Sequence, residues 1–141
     1  MKILITGGNG QLGQELQHLF QERRVAYEAA DVQELDITNQ DQVDAYFSKH
    51  RPDVVYHCAA YTAVDKAEGE GKKANEMVNA VGTEIIAKAC QKYAALLVYI
   101  STDYVFDGTR TSGEYLPDDP KGPRNEYGRT KLLGEQAVQK Y

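Results

Sequence analysis

The chain has 141 residues, 42% of them hydrophobic and 26% charged, with a net charge of -5 and two cysteines. That length suits one domain, which would bury about two-thirds of the surface its unfolded form exposes. The acidic balance argues against a nucleic-acid partner, no apolar run is long enough for a bilayer, and MKILITGG lacks the parts of a signal peptide, so a cytoplasmic protein with no membrane partner is expected.

Short apolar runs alternate with amphipathic segments. KILIT (2–6) reads as a buried strand that ends in glycine. GQLGQELQHLFQER (10–23) carries Leu12, Leu16, Leu19 and Phe20 at helical spacing. VAYEAAD (25–31) is a weaker strand, and NQDQVDAYFSKH (39–50) a helix with Asn39 as N-cap and Pro52 as its stop. DVVYHCAA (53–60) is nearly continuous in apolar character, as suits a strand covered on both faces. A loop with the acidic stretch DKAEGEG (65–71) leads to one long helix over 72–93, with Gly82 a weak point inside it. ALLVYIST (95–102) is another buried strand, 103–124 a long loop with three of the four prolines, and 125–141 a final helix. This rhythm predicts an α/β fold: a Rossmann-type parallel sheet flanked by helices on both faces, in one domain over 1–141. A loop as long as 103–124 in a compact domain is usually functional.

TGGNGQLG (6–13) sits between the first strand and the first helix, with Gly7, Gly10 and Gly13 spaced G-x-x-G-x-x-G. A tight strand-to-helix turn needs glycine, and a pyrophosphate must approach the backbone where a Cβ would block it. The helix N-terminus then offers free N–H groups and partial positive charge. Dinucleotide binding is the expectation. An acidic residue about 20 positions on would take the adenosine ribose. Asp31, ending the second strand, stands at that distance and favours NADH over NADPH, although Arg23 and Arg24 lie nearby in sequence. LDIT (35–38) adds an acidic–apolar pair suited to an adenine ring.

Tyr127 and Lys131 stand four residues apart on the last helix and share a face. A nearby ammonium lowers a phenol's pKa, and the phenol then delivers a proton to a carbonyl oxygen as hydride arrives at carbon. Ser101 and Thr102 close the preceding strand, where ligands bind in open α/β sheets and a hydroxyl polarises a substrate carbonyl.

GGNGQLG (7–13), RPDVVYHCAAYTAVDKAE (51–68), NAVGTEIIAKAC (79–90), YISTDYVFDG (99–108) and NEYGRTKLLGE (125–135) together resemble the extended short-chain dehydrogenase/reductases, and among them the RmlD-type sugar-nucleotide reductases. The resemblance runs from Met1 to Tyr141. It implies that Gly10, Gln11 and Leu12 cover the pyrophosphate, that Asp31 holds the ribose and that Asp36 and Ile37 flank the adenine. Ala60, Tyr61 and Thr62 would line the cofactor cleft. Thr102, Tyr127 and Lys131 would form the catalytic trio, with Thr102 and Asp103 also facing the sugar. The implied reaction is hydride transfer from NADPH or NADH to the C4 keto group of dTDP-4-dehydro-6-deoxy-L-mannose, giving dTDP-L-rhamnose. Homodimers, in some members dependent on Mg²⁺, are also implied, through acidic residues the resemblance does not place. Such reductases are roughly twice this length, so the chain is expected to be the N-terminal portion, without the substrate-binding part and with an open sheet edge where the next strand belongs. An epimerase or dehydratase of the same superfamily, or a non-catalytic dinucleotide-binding subunit, are the alternatives.

Among the other candidates, Cys58 and Cys90 read as buried small apolar residues, and no metal motif is present. His57 reads as a core histidine and His18 and His50 as surface residues. Asn79 is either a satisfied surface polar or, as in the superfamily, the holder of a helix bend.

Overall fold

In a computed structural model that describes residues 1–141, β1 (Ile3–Thr6), β2 (Glu28–Ala30), β3 (Val54–His57) and β4 (Leu96–Tyr99) form one parallel sheet in the order β2-β1-β3-β4. Helices make the crossovers: α1 (Gln11–Glu22), α2 (Gln40–His50), then α3 (Val64–Ala67), α4 (Lys72–Glu76) and α5 (Thr83–Tyr93). α6 (Glu126–Lys140) closes the chain. The register aligns Thr6 with Ala30 and His57, and His57 with Tyr99, so the carboxyl ends of all four strands lie together. From β1 the chain crosses to β2 on one side and returns to β3 on the other. That reversal opens the crevice in which ligands bind in such sheets.

Strand alternation sorts the apolar residues to two faces. Leu4 and Val55 pack with Val43 and Phe47 of α2 and Ile86 and Cys90 of α5. Ile3 and Ile5 pack on the opposite face against Phe20 of α1. Helices therefore cover both faces, as the periodicity predicts. Burying each of Leu4, Phe47, Val55 and Ile86, all 1% exposed or less, stabilises the fold by about 1.5–3 kcal/mol. Asn39 caps α2 by accepting from Gln42 N–H at 3.1 Å.

The strands are shorter than their apolar runs. VAYEAAD pairs only over Glu28–Ala30, with Leu4–Thr6 of β1. The stretch 65–71 is not all loop, since α3 extends to Ala67. The largest departure lies in 72–93. The helix is continuous, but Met77–Gly82 forms a π-turn between α4 and α5. β4 is an edge strand, with Leu96 64% exposed.

Candidate active site

Two clefts meet at the glycine turn, sharing Asn9, Gly10, Cys58 and Ala60. The first, of about 380 Å³, lies over the ends of β1 and β2 and includes Gly7, Asp31, Asp36 and Ile37. The second, of about 540 Å³, includes Gln11, Leu12, Gly13, Thr62, Tyr127 and Lys131. Every expected cofactor residue except Tyr61 thus faces one cleft or the other, while Thr102 and Asp103 lie outside both.

The turn requires its glycines. Gly7 has φ +67°, and a Cβ there would lie 2.6 Å from the Ala59 backbone. A Cβ on Gly13 would come within 2.3 Å of the Gly7 carbonyl oxygen, which already accepts from Gly10 N–H at 3.0 Å. No side chain caps α1 at Gly10, so the first-turn amides of Gln11, Leu12 and Gly13 stay available to an anion in the cleft. Asp31 holds the turn from outside: its carboxylate accepts from Asn9 N–H at 2.9 Å and from Val32 N–H at 2.8 Å. The first cleft contains Asp31 and Asp36 but no Lys or Arg. Arg23 and Arg24 stand at the opposite end of α1.

Asn125 caps α6, accepting from Gly128 N–H at 2.6 Å. Tyr127, two residues on, is half-buried and edge-on to the Tyr104 ring at 5.9 Å. Thr102 caps the 3₁₀ turn Asp103–Val105, accepting from Tyr104 N–H at 3.2 Å. Gly128 lets the two segments touch: a Cβ there would sit 2.2 Å from the Tyr104 carbonyl oxygen.

Lys131 is 3% exposed. Its ammonium donates to the Ile100 carbonyl at 2.5 Å and lies 4.2 Å from the centre of the Tyr99 ring. Burial pulls its pKa down to about 8, with the Glu135 carboxylate working in the opposite direction. The expected lowering of the Tyr127 pKa by this ammonium is not what the geometry produces. Burial raises the phenol above its ordinary range, the Thr102 hydroxyl works against that rise, and Tyr104 and Asp103 add to it. Lys131 acts on Ile100 instead.

His57 is a core histidine, 1% exposed and bridging Thr6 Oγ1 at 2.7 Å and Thr83 Oγ1 at 3.2 Å. Burial first, and then the Lys131 charge, press its pKa down to about 3, so the ring is neutral. Cys90 is buried, but Cys58 is only half-buried and lines both clefts. Desolvation raises both thiols, to about 11 for Cys58 and about 12 for Cys90. His18 is exposed, whereas His50 is not simply a surface residue: it stacks on Tyr46 at 4.1 Å and meets the Glu28 carboxylate at 2.6 Å. No group of three or more His, Cys, Asp or Glu side chains is placed to hold a metal ion, so Mg²⁺ gains no ligand set from these residues. No helix is long and apolar enough to cross a membrane.

Asn79 is 1% exposed and pairs with both backbone groups of Tyr61, accepting from its N–H at 2.8 Å and donating to its carbonyl at 2.9 Å. Sequence reasoning weighs Asn79 but passes over Asn75 and Thr130, which bond to it. The available signal is two asparagines four residues apart on one helical face.

A parallel sheet with its glycine turn at the topological switch point defines a Rossmann-type α/β protein. The chain belongs to the family described as the RmlD substrate binding domain, which matches residues 1–141. It is 46% identical over 135 residues to a dTDP-4-dehydrorhamnose reductase of Streptomyces griseus, covering 96% of this chain and 44% of the relative. Superposition on the dTDP-4-dehydrorhamnose reductase of Bacillus anthracis, solved with NADP, gives a TM-score of 0.93 at 43% identity, over 99% of this chain and 49% of that one. A Thermus thermophilus UDP-glucose 4-epimerase solved with NAD gives 0.88 at 25% identity, over 100% of this chain and 50% of that one. The chain therefore spans about half the length of the proteins it matches.

Proposed function

We propose that this chain carries the cofactor and proton-transfer portion of an NADPH- or NADH-dependent reductase acting on the C4 keto group of dTDP-4-dehydro-6-deoxy-L-mannose, to give dTDP-L-rhamnose. The observation that carries the reading is that Tyr127 and Lys131 share one cleft with the uncapped N-terminus of α1. The residues present fit a dinucleotide. The free amides of Gln11, Leu12 and Gly13 suit its pyrophosphate, and Asp31, Asp36 and Ile37 suit its adenosine. Ala60, Tyr61 and Thr62 would border it after β3. When bound, the reduced nicotinamide supplies the hydride. The chain's own residues supply the proton and its placement. A phenol raised by burial is protonated at neutral pH, which is the state a proton donor to the new alkoxide requires. Thr102 would hydrogen-bond the carbonyl oxygen, and Asp103 would meet the sugar, both from just outside the cleft that holds Tyr127. The Lys131 ammonium, with an ordinary pKa but for its burial, remains largely charged at neutral pH and is available to a ribose hydroxyl.

NADPH and NADH oxidation by the full-length protein, with the 4-keto sugar nucleotide, tests this directly. Cofactor binding without turnover would sink it. An epimerase or dehydratase would purify with NAD⁺ retained, visible in its absorbance. Tyr127→Phe is expected to lower turnover by about 10²–10⁴-fold with cofactor binding intact. A non-catalytic subunit would keep its partner-binding role after that change.

A further inference from the structure

Between the π-turn and α6 lies a buried polar network that the proposed chemistry does not use. Asn75 is fully buried, and both its amide oxygen and its amide nitrogen are engaged. Its Oδ1 accepts from Asn79 Nδ2 at 2.8 Å and from Thr130 Oγ1 at 2.9 Å, and its Nδ2 donates to the Glu126 carbonyl at 3.1 Å. Thr130 is also fully buried, and its hydroxyl oxygen lies 3.0 Å from the Tyr127 carbonyl, so its one proton is shared between that carbonyl and Asn75 Oδ1. The network therefore grips α6 immediately before Tyr127 and again three residues after it. Through Asn79 it continues to both backbone groups of Tyr61, beside the cleft.

We propose that Asn75 and Thr130 are positioning residues for the reduction, locking the first turn of α6 to the π-turn so that the Tyr127 phenol keeps a single place relative to the segment after β3. The inference rests on the reductase reading. Apolar side chains of the same volume would fill this space, but burial of apolar surface is non-directional and leaves a helix free to rotate or slide. Directional hydrogen bonds that leave no buried side-chain nitrogen or oxygen without a partner select one rotation and one register. The two grips, at Glu126 and Thr130, bracket the turn of α6 that carries Tyr127. A second constraint points the same way: Gly134 packs α6 so closely that a Cβ would lie 2.9 Å from the Asn79 carbonyl oxygen.

The test pairs Thr130→Val, which keeps the shape and removes the hydroxyl, with Thr130→Ser, which restores the hydroxyl. In the full-length protein, Thr130→Val is expected to lower kcat by about 10–100-fold, because a displacement of about 1 Å at a reacting group costs that much, with cofactor Kd unchanged. Thr130→Ser is expected to recover most of the loss. A second readout needs no substrate: with ¹³C-labelled tyrosine, the Tyr127 signal, assigned by its absence in Tyr127→Phe, should move or broaden in Thr130→Val and return in Thr130→Ser. Asn75→Asp replaces the donor facing the Glu126 carbonyl with an oxygen and should disturb the same signal from the other grip. A Thr130→Val protein that melts lower but keeps both kcat and the Tyr127 signal would overturn the proposal. Should the wild type bind cofactor and not turn over, the reductase reading falls, and the Tyr127 signal alone decides whether this network positions it.

Discussion

Lys131 donates to the Ile100 carbonyl at 2.5 Å from a side chain that is 3% exposed. Its folded pKa, about 8, lies below the ordinary 10.5, so the folded protein holds this proton less tightly than the unfolded chain. The cost of burying the charge is fully present below about pH 8 and is relieved as pH rises from there toward 10.5. Lys131→Met should therefore stabilise the fold near neutral pH by roughly 1–3 kcal/mol while removing reductase activity. Urea unfolding at neutral and at alkaline pH measures this. The gain should shrink at the higher pH, and a variant less stable than wild type near neutrality would refute the account.

His57 gives a dependence at the acid end. Its ring is neutral in the fold, with a pKa near 3 against an ordinary 6.5, so the unfolded state binds the proton first as pH falls. Stability should decline from about pH 6.5 toward pH 3, by roughly 2–4 kcal/mol from this residue. His57→Asn removes the titrating group. Its unfolding midpoint is expected to vary less with pH than that of wild type across this range, and parallel curves would show that His57 does not contribute.

The first cleft holds Asp31 and Asp36 with no basic side chain facing them. A 2′-phosphate in that place meets two carboxylates and no counter-charge. NADH should bind more tightly than NADPH. Asp31→Asn, which retains an acceptor for Asn9 N–H, should narrow the ratio by about tenfold, equivalent to about 1.4 kcal/mol. Fluorescence titration of both coenzymes checks the ratio, and an unchanged preference would remove Asp31 from the discrimination.

Gly128→Ala would force a Cβ against the Tyr104 carbonyl, a backbone atom that cannot swing aside. A loss of about 1–3 kcal/mol is expected. Gly69→Ala is the control, because nothing lies within 4 Å of a Cβ there. Thermal unfolding of the pair should separate them clearly, and equal melting temperatures would mean that α6 yields at no cost.

Much of this was legible before any coordinates. The glycine turn announces itself because a Cβ at Gly7 would strike the Ala59 backbone and one at Gly13 the Gly7 carbonyl. The Tyr127–Lys131 spacing follows from helix geometry alone. The state of Tyr127 was not legible, because its pKa depends on burial and on Lys131 turning to Ile100, both tertiary facts. The π-turn escaped for a related reason. Its residues have ordinary helical propensity, and the segment departs from α geometry where Asn79 engages Tyr61 across the chain. Gly82, which looked like a weakness in the helix, is where the helix meets Ile37: a Cβ would lie 2.8 Å from its Cδ1. Strand ends blurred because β-pairing stops where the shortest neighbour stops.

The π-turn also bears on how this helix tolerates change in length. A π-turn behaves as one residue inserted into an α-helix, and each residue of an α-helix turns the chain by about 100°. α4 presents Asn75 to α6, while α5, beyond the turn, presents Ile86, Ala89 and Cys90 to the sheet. Deleting a single residue between 77 and 82 would leave a more regular helix of almost the same composition. It would also rotate one half against the other, so that either the asparagines or the core residues faced the wrong way. In this segment an indel is graver than most substitutions.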